Sequence, residues 1–236
     1  MTSTGRLSIT WLGHSTFLLR TPGGTRLLFD PWLRENQSCP DEWKRTPPKV
    51  DIVLVTHGHA DHIGDAAWVT RACDATLVAM VELCRWLQRQ GVRHIEPMNI
   101  GGTITQRGLR ITLVEARHSS AWLEDGRPVY LGAPAGFVVT LEDGRTLYFA
   151  GDTDVFEGMR LIRERYAPEI AFLPIGDRFT MGPASAAMAC ELLGVRQVVP
   201  MHYGTYPALT GTPTELRKRI GSHIEVLELR PGETAE

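Results

Sequence analysis

The chain has 236 residues, 43% hydrophobic and 22% charged, and its 25 basic and 27 acidic side chains give a net charge of −2. A chain of this length buries enough surface to form a core without disulfides or a structural metal, so a bound metal is expected to serve function. The balanced charge excludes a broad basic face for nucleic acid, and no apolar run approaches the roughly 18 residues needed to span a bilayer.

The first part of the chain is predicted to be an antiparallel meander. Apolar residues recur at strand-like intervals over 7–12, 15–20 and 25–29, with a turn at Pro22-Gly23-Gly24. Residues 1–10 lack the apolar core of a signal peptide, so neither export nor membrane insertion is expected. Residues 34–49 are polar, rich in Pro and aperiodic, which predicts a surface loop beside a site.

The rest of the chain alternates between strand and helix patterns. The β-branched run at 50–55 predicts a strand covered on both faces. The later predicted elements are helices 65–71 and 81–90, strands 109–115, 137–141 and 146–150, helix 155–166, strand 170–174, helix 183–193, strand 197–200, helix 213–220 and strand 224–229. This order predicts sheets packed face to face and covered by helices, in one domain over 1–236.

The cysteines point to a reducing compartment. Cys39, Cys73, Cys84 and Cys190 form no C-x-x-C pair, which argues against both a zinc knuckle and a disulfide framework. We therefore predict a cytoplasmic protein.

The strongest chemical signal is the segment His57-x-His59-x-Asp61-His62, which follows the strand predicted at 50–55. Side chains two positions apart in an extended segment point the same way, so His57 and His59 can present imidazoles to one point. The following turn brings Asp61 and His62 to a second point. Two metal ions could share this loop.

This pattern resembles that of the metallo-β-lactamase superfamily. The resemblance implies an α/β fold, a four-layer αβ/βα sandwich of two mixed sheets covered by helices, with a one- or two-metal site along one edge. It also implies further ligands downstream. His118, Asp152 and His202 occur in the expected order, each just past a predicted strand.

The resemblance assigns these side chains to two divalent metal ions. It implies that His57, His59 and His118 bind one metal, that Asp61, His62 and His202 bind the other, and that Asp152 bridges them. Imidazole and carboxylate ligands suit Zn²⁺. Mn²⁺ or Fe²⁺ would also be accepted, because no thiolate is present to bias the choice.

Two upstream residues join the predicted site. His14 and Asp30 match positions at which related hydrolases carry a substrate-facing histidine and an aspartate that orients a ligating imidazole by accepting its free N–H. A plain surface histidine between strands is the alternative for His14.

Further motifs narrow the resemblance. Ala133-Pro134-Ala135-Gly136, Leu173-Pro174-Ile175-Gly176-Asp177 and Pro200-Met201-His202-Tyr203 are similar to a bacterial and archaeal family of metal-dependent hydrolases. That family is related to L-ascorbate-6-phosphate lactonase and, more remotely, to N-acyl-phosphatidylethanolamine-hydrolysing phospholipase D. The loop 34–49 is longer and more charged than expected for a minimal member of that family, and residues 122–127 are an additional insertion. Each segment either lines a pocket or is a variable surface loop.

The resemblance implies hydrolysis of a small molecule by a hydroxide held between the metals, with a lactone or another carboxylic ester as the leading substrate. Asp61 is expected to orient the water and pass its proton to the leaving group. The second metal or His14 would stabilise the oxyanion, and Tyr203 either assists or only packs.

Two other functions stay open at this stage. A phosphodiesterase, either phospholipase D-like or acting on a nucleotide diester, would need fixed cations, for which Arg117, Arg127 and Arg178 are candidates. A metal-dependent binding or sensor protein is disfavoured because every ligand position is filled. A homo-oligomer is compatible with the resemblance, and the sequence does not decide it.

Overall fold

Residues 5–236 are described by the computed structural model; residues 1–4 of the N-terminal segment discussed above lie outside the described part. The first half of the chain forms strands β1 (Ser8–Trp11), β2 (Phe17–Arg20), β3 (Arg26–Phe29), β4 (Ile52–Leu54), β5 (Thr76–Met80) and β6 (His94–Met98). Its helices are α1 (Asp41–Arg45), α2 (Ala60–Ile63), α3 (Ala66–Cys73) and α4 (Val81–Arg89).

The second half adds strands and helices in a similar order. Its strands are β7 (Thr103–Gln106), β8 (Leu109–Glu115), β9 (Ala121–Glu124), β10 (Arg127–Tyr130), β11 (Ala135–Thr140), β12 (Thr146–Phe149), β13 (Ile170–Pro174), β14 (Gln197–Met201), β15 (Glu225–Val226) and β16 (Thr234–Ala235). Its helices are α5 (Gly158–Tyr166), α6 (Pro183–Leu193) and α7 (Pro213–Arg217).

The strands of residues 5–236 form two seven-stranded mixed sheets and a separate hairpin. One sheet has the order β16-β1-β2-β3-β4-β5-β6, and the other has the order β15-β14-β13-β12-β11-β8-β7. Each sheet is antiparallel at one side and parallel at the other, where β3 to β6 and β12 to β15 run side by side. The predicted class of two mixed sheets with helices, an αβ/βα sandwich, is confirmed.

Aromatic side chains fill the space between the sheets. The ring of Phe29 on β3 stacks on that of Phe149 on β12 with centroids 4.3 Å apart, and the ring of Phe17 on β2 meets that of Phe172 on β13 at 5.0 Å. All four side chains are almost fully buried. Burial of such large apolar surfaces is the main favourable term that holds one sheet against the other.

Most predicted elements are confirmed, and the misses include one interior strand, β5, which pairs with both β4 and β6. The bounds of β8, β13 and α6 coincide with the predicted ones. Strands β5, β6 and β7 were not predicted, the loop 34–49 contains the short α1, and the strand predicted at 224–229 is reduced to β15. No helix within residues 5–236 is both long and apolar enough to cross a membrane.

The insertion at 122–127 is the tip of the β9–β10 hairpin. Glu124 pairs with Arg127, so Asp125 and Gly126 alone form the turn, with φ of 50° and 74°. Positive φ at both central residues defines a type I′ turn, for which Asp-Gly is a preferred sequence. The dipeptide was therefore a signal from which the hairpin could have been found.

Candidate metal centre

The functional side chains lie on loops that follow strands running in one direction. His14, Asp30 and the segment 57–62 follow β1, β3 and β4, and His118, Asp152 and His202 follow β8, β12 and β14. Each sheet thus brings its contributing loops to the same edge. Residues distributed over most of the chain meet there for that reason.

One cluster consists of three imidazoles. His57 Nε2 lies 3.0 Å and His118 Nε2 lies 3.2 Å from His59 Nδ1. One nitrogen from each ring lies within 4.8 Å of the others, a spacing at which the three could hold one cation. The sequence predicted these residues for one metal, and the structure brings them together.

A second cluster contains Asp61, His62 and His202, and it also includes His14. Ligand atoms of these four residues lie within 4.8 Å of one another. His14 Nε2 is 3.0 Å from Asp61 Oδ2, and His202 Nε2 is 3.8 Å from the same oxygen.

Asp152 lies between the two clusters. Its Oδ2 is 3.5 Å from His118 Nε2 and 3.1 Å from His202 Nε2, and its Oδ1 is 3.3 Å from His62 Nε2. His57 Nε2 lies 4.0 Å from Oδ2. The carboxylate therefore faces imidazoles of both clusters, as the bridging role implied by the resemblance requires.

The residues present fit divalent cations. Asp152 Oδ1 and His62 Nε2 are both buried, and within residues 5–236 neither has a hydrogen-bond partner although the two atoms are 3.3 Å apart. Leaving such buried polar atoms unpaired is costly. Two ligands of one Zn²⁺, each about 2 Å from the ion, lie about 3 Å apart, so the spacing and the unpaired atoms are both explained by a shared cation.

Asp30 fixes the orientation of His62 from outside the centre. Its Oδ2 lies 2.7 Å from His62 Nδ1 and accepts a hydrogen bond from the Thr56 hydroxyl at 2.7 Å, while its Oδ1 accepts from the Thr56 backbone N–H. A ligating imidazole that donates its other N–H to a carboxylate is held with its free nitrogen toward the metal. Asp30 thus lies within hydrogen-bond distance of His62, and its role in orienting a metal ligand stays a prediction.

The charges of the centre favour cation binding. Burial lowers the pKa of His57, and it lowers those of His59 and His118 as well, so these imidazoles are neutral at pH 7 and have a lone pair available for a cation. Burial alone would raise the pKa of Asp152, but His202 and His62 hold it well below its usual value. Burial also opposes protonation of His62, yet the carboxylates of Asp152 and Asp30 raise its pKa well above the ordinary range. The same negative charges that raise the pKa of His62 would also stabilise a divalent cation beside it.

Several backbone positions in the centre are strained. His14, Asp30 and His202 have φ of 56°, 43° and 54°, in the left-handed region that non-glycine residues rarely adopt. The His14 carbonyl accepts hydrogen bonds from the His202 backbone N–H at 3.1 Å and from the Trp11 indole at 2.9 Å. These bonds tie two of the strained positions to each other, and such strain is typical of functional sites.

The sequence did not identify Thr205 and Ser120, which support the site. The Thr205 hydroxyl lies 3.0 Å from His14 Nδ1. Ser120 Oγ accepts a hydrogen bond from the Gly58 N–H at 3.1 Å, which fixes the loop between the first two metal-site histidines. Thr205 follows the Pro200-Met201-His202-Tyr203 motif by two residues, so proximity to a motif was the available signal.

The prediction of a catalytic Tyr203 needs correction. The Tyr203 ring stacks on Trp11 with centroids 5.1 Å apart. Burial raises the pKa of its hydroxyl, and the charged groups that influence this pKa are Glu228 and Arg217. The Tyr206 ring instead lies 5.7 Å from the His14 ring. Burial raises the pKa of the Tyr206 hydroxyl, and the carboxylate of Asp61 contributes to the rise. Tyr206 is therefore the tyrosine beside the centre, and Tyr203 is a packing residue.

The arginines proposed as phosphate ligands differ in their surroundings. Arg117 Nε lies 2.7 Å from Glu115 Oε1, so its charge is already paired. Arg127 begins the exposed β10 strand of the hairpin. Arg178 is exposed on a turn with φ of 56°, where its guanidinium lies 5.5 Å from the Phe179 ring.

Comparison with known proteins agrees with this fold. A family model described as the Beta-lactamase superfamily domain matches residues 25–203. A UPF0173 metal-dependent hydrolase of Rubrobacter xylanophilus is 49% identical over 233 residues, which is 97% of this chain and 96% of the relative. Another from Methanopyrus kandleri is 47% identical over 235 residues, covering 98% and 100%.

Solved structures show the same architecture. Igni18, a metallo hydrolase from Ignicoccus hospitalis, is 35% identical, with a TM-score of 0.86 over 97% of each chain. An isothiocyanate hydrolase from Delia radicum gut bacteria is 25% identical, with a TM-score of 0.75 over 97% of this chain and 98% of that one.

Proposed function

Because this chain belongs to the metallo-β-lactamase superfamily and is a metal-dependent hydrolase, we propose that it hydrolyses a lactone or another carboxylic ester. The observation that carries this proposal is the position of Asp61. Its side chain is 25% exposed on the open side of the centre, whereas Asp152 is 3% exposed. Asp61 is thus the carboxylate that a substrate can reach.

We propose that two divalent cations occupy the centre. His57, His59 and His118 would hold one, Asp61, His62 and His202 the other, and Asp152 would contact both. The ligand set suits Zn²⁺ and would also accept Mn²⁺ or Fe²⁺. When bound, the cations lower the pKa of a coordinated water to about 7 and thereby supply a nucleophile at neutral pH.

Asp61 is suited to move a proton between the attacking water and the leaving group. Burial opposes its ionisation, but the hydrogen bond from His14 and the nearby His62 hold the pKa of Asp61 below its ordinary value. The carboxylate is therefore ionised at neutral pH and can accept a proton. It would then return that proton to the departing alkoxide.

His14 holds Asp61 in place, and Thr205 fixes the tautomer of His14. Burial, with a contribution from His202, lowers the pKa of His14 to about 4, so the ring is neutral. The Asp61 carboxylate can only accept, so His14 Nε2 carries the proton and donates it. His14 Nδ1 then accepts from the Thr205 hydroxyl 3.0 Å away.

A neutral ester fits the surroundings better than a phosphodiester. A diester carries a permanent negative charge, which an unpaired cationic side chain beside the metals would stabilise further. Arg117 follows β8 just ahead of the ligand His118, and its guanidinium is already paired with Glu115. This pairing withdraws Arg117, the candidate arginine next to His118 in the chain, from phosphate binding, and it supports the choice of an ester as the leading substrate.

The proposed function is tested with metal-loaded protein and a panel of lactones, aryl and alkyl esters, phosphodiesters and isothiocyanates. We expect an ester or lactone to reach a kcat/KM of about 10⁴ M⁻¹s⁻¹ or more, with every phosphodiester at least about 100-fold lower. Chelator-stripped protein, which should be inactive, is the control. Faster cleavage of a phosphodiester or an isothiocyanate than of any ester would contradict the proposal.

The support of His14 by Thr205 gives a separate prediction. Thr205→Val removes the hydroxyl at constant shape, and we expect kcat to fall about tenfold, as is typical when a supporting hydrogen bond is lost. KM and the metal content should not change, because Thr205 contacts neither substrate nor a proposed ligand. Thr205→Ser should restore kcat. An unaltered kcat in Thr205→Val would contradict the assigned tautomer.

A further inference from the structure

A cavity of about 240 Å³ lies beside the metal centre, between the start of the loop 34–49 and the β9–β10 hairpin. Trp32 and Trp122 line it, and Glu35 stands at the start of the loop 34–49. Ala60 and Gly64 line it from α2 and its C-terminal end, and this helix carries Asp61 and His62. The cavity is therefore directly next to the proposed reaction site.

Aromatic contacts connect the cavity to the centre. The Trp32 ring lies 5.2 Å from the ring of His14 and 6.0 Å from that of Tyr206. Trp122, on β9, packs against Trp86 at 5.3 Å, which supports this wall of the cavity. The aromatic walls thus extend from the metal centre outward.

The charge of the cavity comes from Glu35. Arg34 also lines it, but its Nε lies 2.5 Å from Asp65 Oδ1, and the Arg34 and Leu33 backbone N–H groups donate to the other oxygen of Asp65. That pair is therefore neutral as a unit. Glu35 is exposed at the rim of the cavity and forms no ion pair with any residue of 5–236, which leaves one uncompensated negative charge there.

Tyr206 lies between Trp32, which lines the cavity, and His14. Burial raises the pKa of the Tyr206 hydroxyl to about 12, and the carboxylates of Asp61 and Glu35 add to the rise. The Tyr206 ring lies 6.0 Å from the Trp32 ring and 5.7 Å from the His14 ring. Trp32, which lines the cavity, therefore also contacts the two rings beside the proposed reaction site.

We propose that this cavity binds an alkylammonium group of the substrate, so that an ester carrying a positive charge is presented to the metal centre. Indole faces attract cations, most strongly when water is excluded, and Glu35 adds a full charge of the correct sign. The proposal rests on the proposed esterase function for the identity of the reacting group, but the cavity itself can be tested without any reaction.

The first test is binding of tetramethylammonium to the metal-loaded protein, measured by calorimetry. We expect saturable binding that weakens about tenfold in Glu35→Gln and in Trp122→Leu. The matched control is Glu42→Gln, which removes the same charge from the same loop at an exposed position outside the cavity and should bind normally. Absence of binding, or equal binding of tetramethylammonium by wild type and Glu35→Gln, would overturn the proposal.

The second test compares two esters with the same acyl group. A choline ester and its neutral 3,3-dimethylbutyl counterpart have the same shape and differ only in charge. We expect a kcat/KM about tenfold higher for the choline ester, and loss of this preference in Glu35→Gln but not in Glu42→Gln. Hydrolysis of both esters without preference would overturn the assignment of the cavity.

The two proposals can fail separately. If neither ester is cleaved but tetramethylammonium binds in a Glu35-dependent manner, the cavity assignment stands and the esterase function is wrong. If esters are cleaved and no cation binds, the esterase function stands and the cavity assignment is wrong.

Discussion

Asp152→Asn is expected to lower kcat/KM by at least about 10³-fold and to reduce the metal content from two ions per chain to one or fewer. The Asp152 carboxylate faces imidazoles of both clusters, with oxygen–nitrogen distances of 3.1 to 4.0 Å. Asparagine keeps the shape but loses the negative charge that two neighbouring cations require, and it points an N–H donor at one of them. A metal centre supplies several kcal/mol of transition-state stabilisation, which corresponds to a factor of about 10³ or more.

Elemental analysis and thermal unfolding with and without added metal would measure this effect independently of activity. The midpoint of the wild-type protein should rise with metal, because a ligand that binds only the native state stabilises it, whereas that of Asp152→Asn should rise much less. Asp154→Asn is the matched control. Asp154 is exposed and its Oδ1 accepts only from the Val155 N–H, which an amide oxygen can replace. Two bound metals and activity within threefold of wild type in Asp152→Asn would refute a bridging role.

The segment 57–62 was predictable because its ligands are close in sequence. An extended segment brings His57 and His59 to one side, and the helical turn that follows carries Asp61 and His62. This local geometry does not depend on the rest of the fold. His118, Asp152 and His202 were predictable for a different reason. Each follows a predicted strand, and strands that run in the same direction end at the same edge of their sheet.

The choice between Tyr203 and Tyr206 could not be made from the sequence. It depends on the backbone at His202, where a φ of 54° redirects the chain. Tyr203, next in the chain, packs on Trp11, and Tyr206 lies beside His14. Nothing local in residues 200–206 predicts that turn, because His202 is held in it by a hydrogen bond to His14, 188 positions away.

The cavity was also beyond sequence analysis, although both segments that form it stood out as departures. Trp32 and Trp122 are brought to the same cavity by the packing of the β9–β10 hairpin over the metal loop. The side chain of Leu131, just after β10, lies so close to Gly58 that a Cβ on Gly58 would be 2.8 Å from it. A larger residue at Gly58 would therefore force the Leu131 side chain to move.

Asp61→Asn is expected to lower kcat by about 10²- to 10³-fold on esters of alkyl alcohols, within the range typical of proton transfer by a positioned side chain. An alkoxide needs a proton in order to leave, and the asparagine amide can neither accept the proton from water nor deliver it. On an ester of an acidic nitrophenol, whose anion leaves without protonation, the loss should be much smaller. The ratio of the two rates, rather than either rate alone, measures the role of Asp61 in transferring a proton to the leaving group.

Asp61 is expected to take part in both proton transfer and metal binding. The dependence of the rate loss on the leaving group distinguishes these two roles. Loss of a ligand alone would slow the two esters by the same factor and would be accompanied by a lower metal content. His14→Gln is the companion variant, because His14 contacts Asp61 through Nε2 at 3.0 Å and its replacement should change the same ratio in the same direction by a smaller amount. Equal losses on both esters in Asp61→Asn would assign Asp61 to metal binding only and would require another donor for the leaving group.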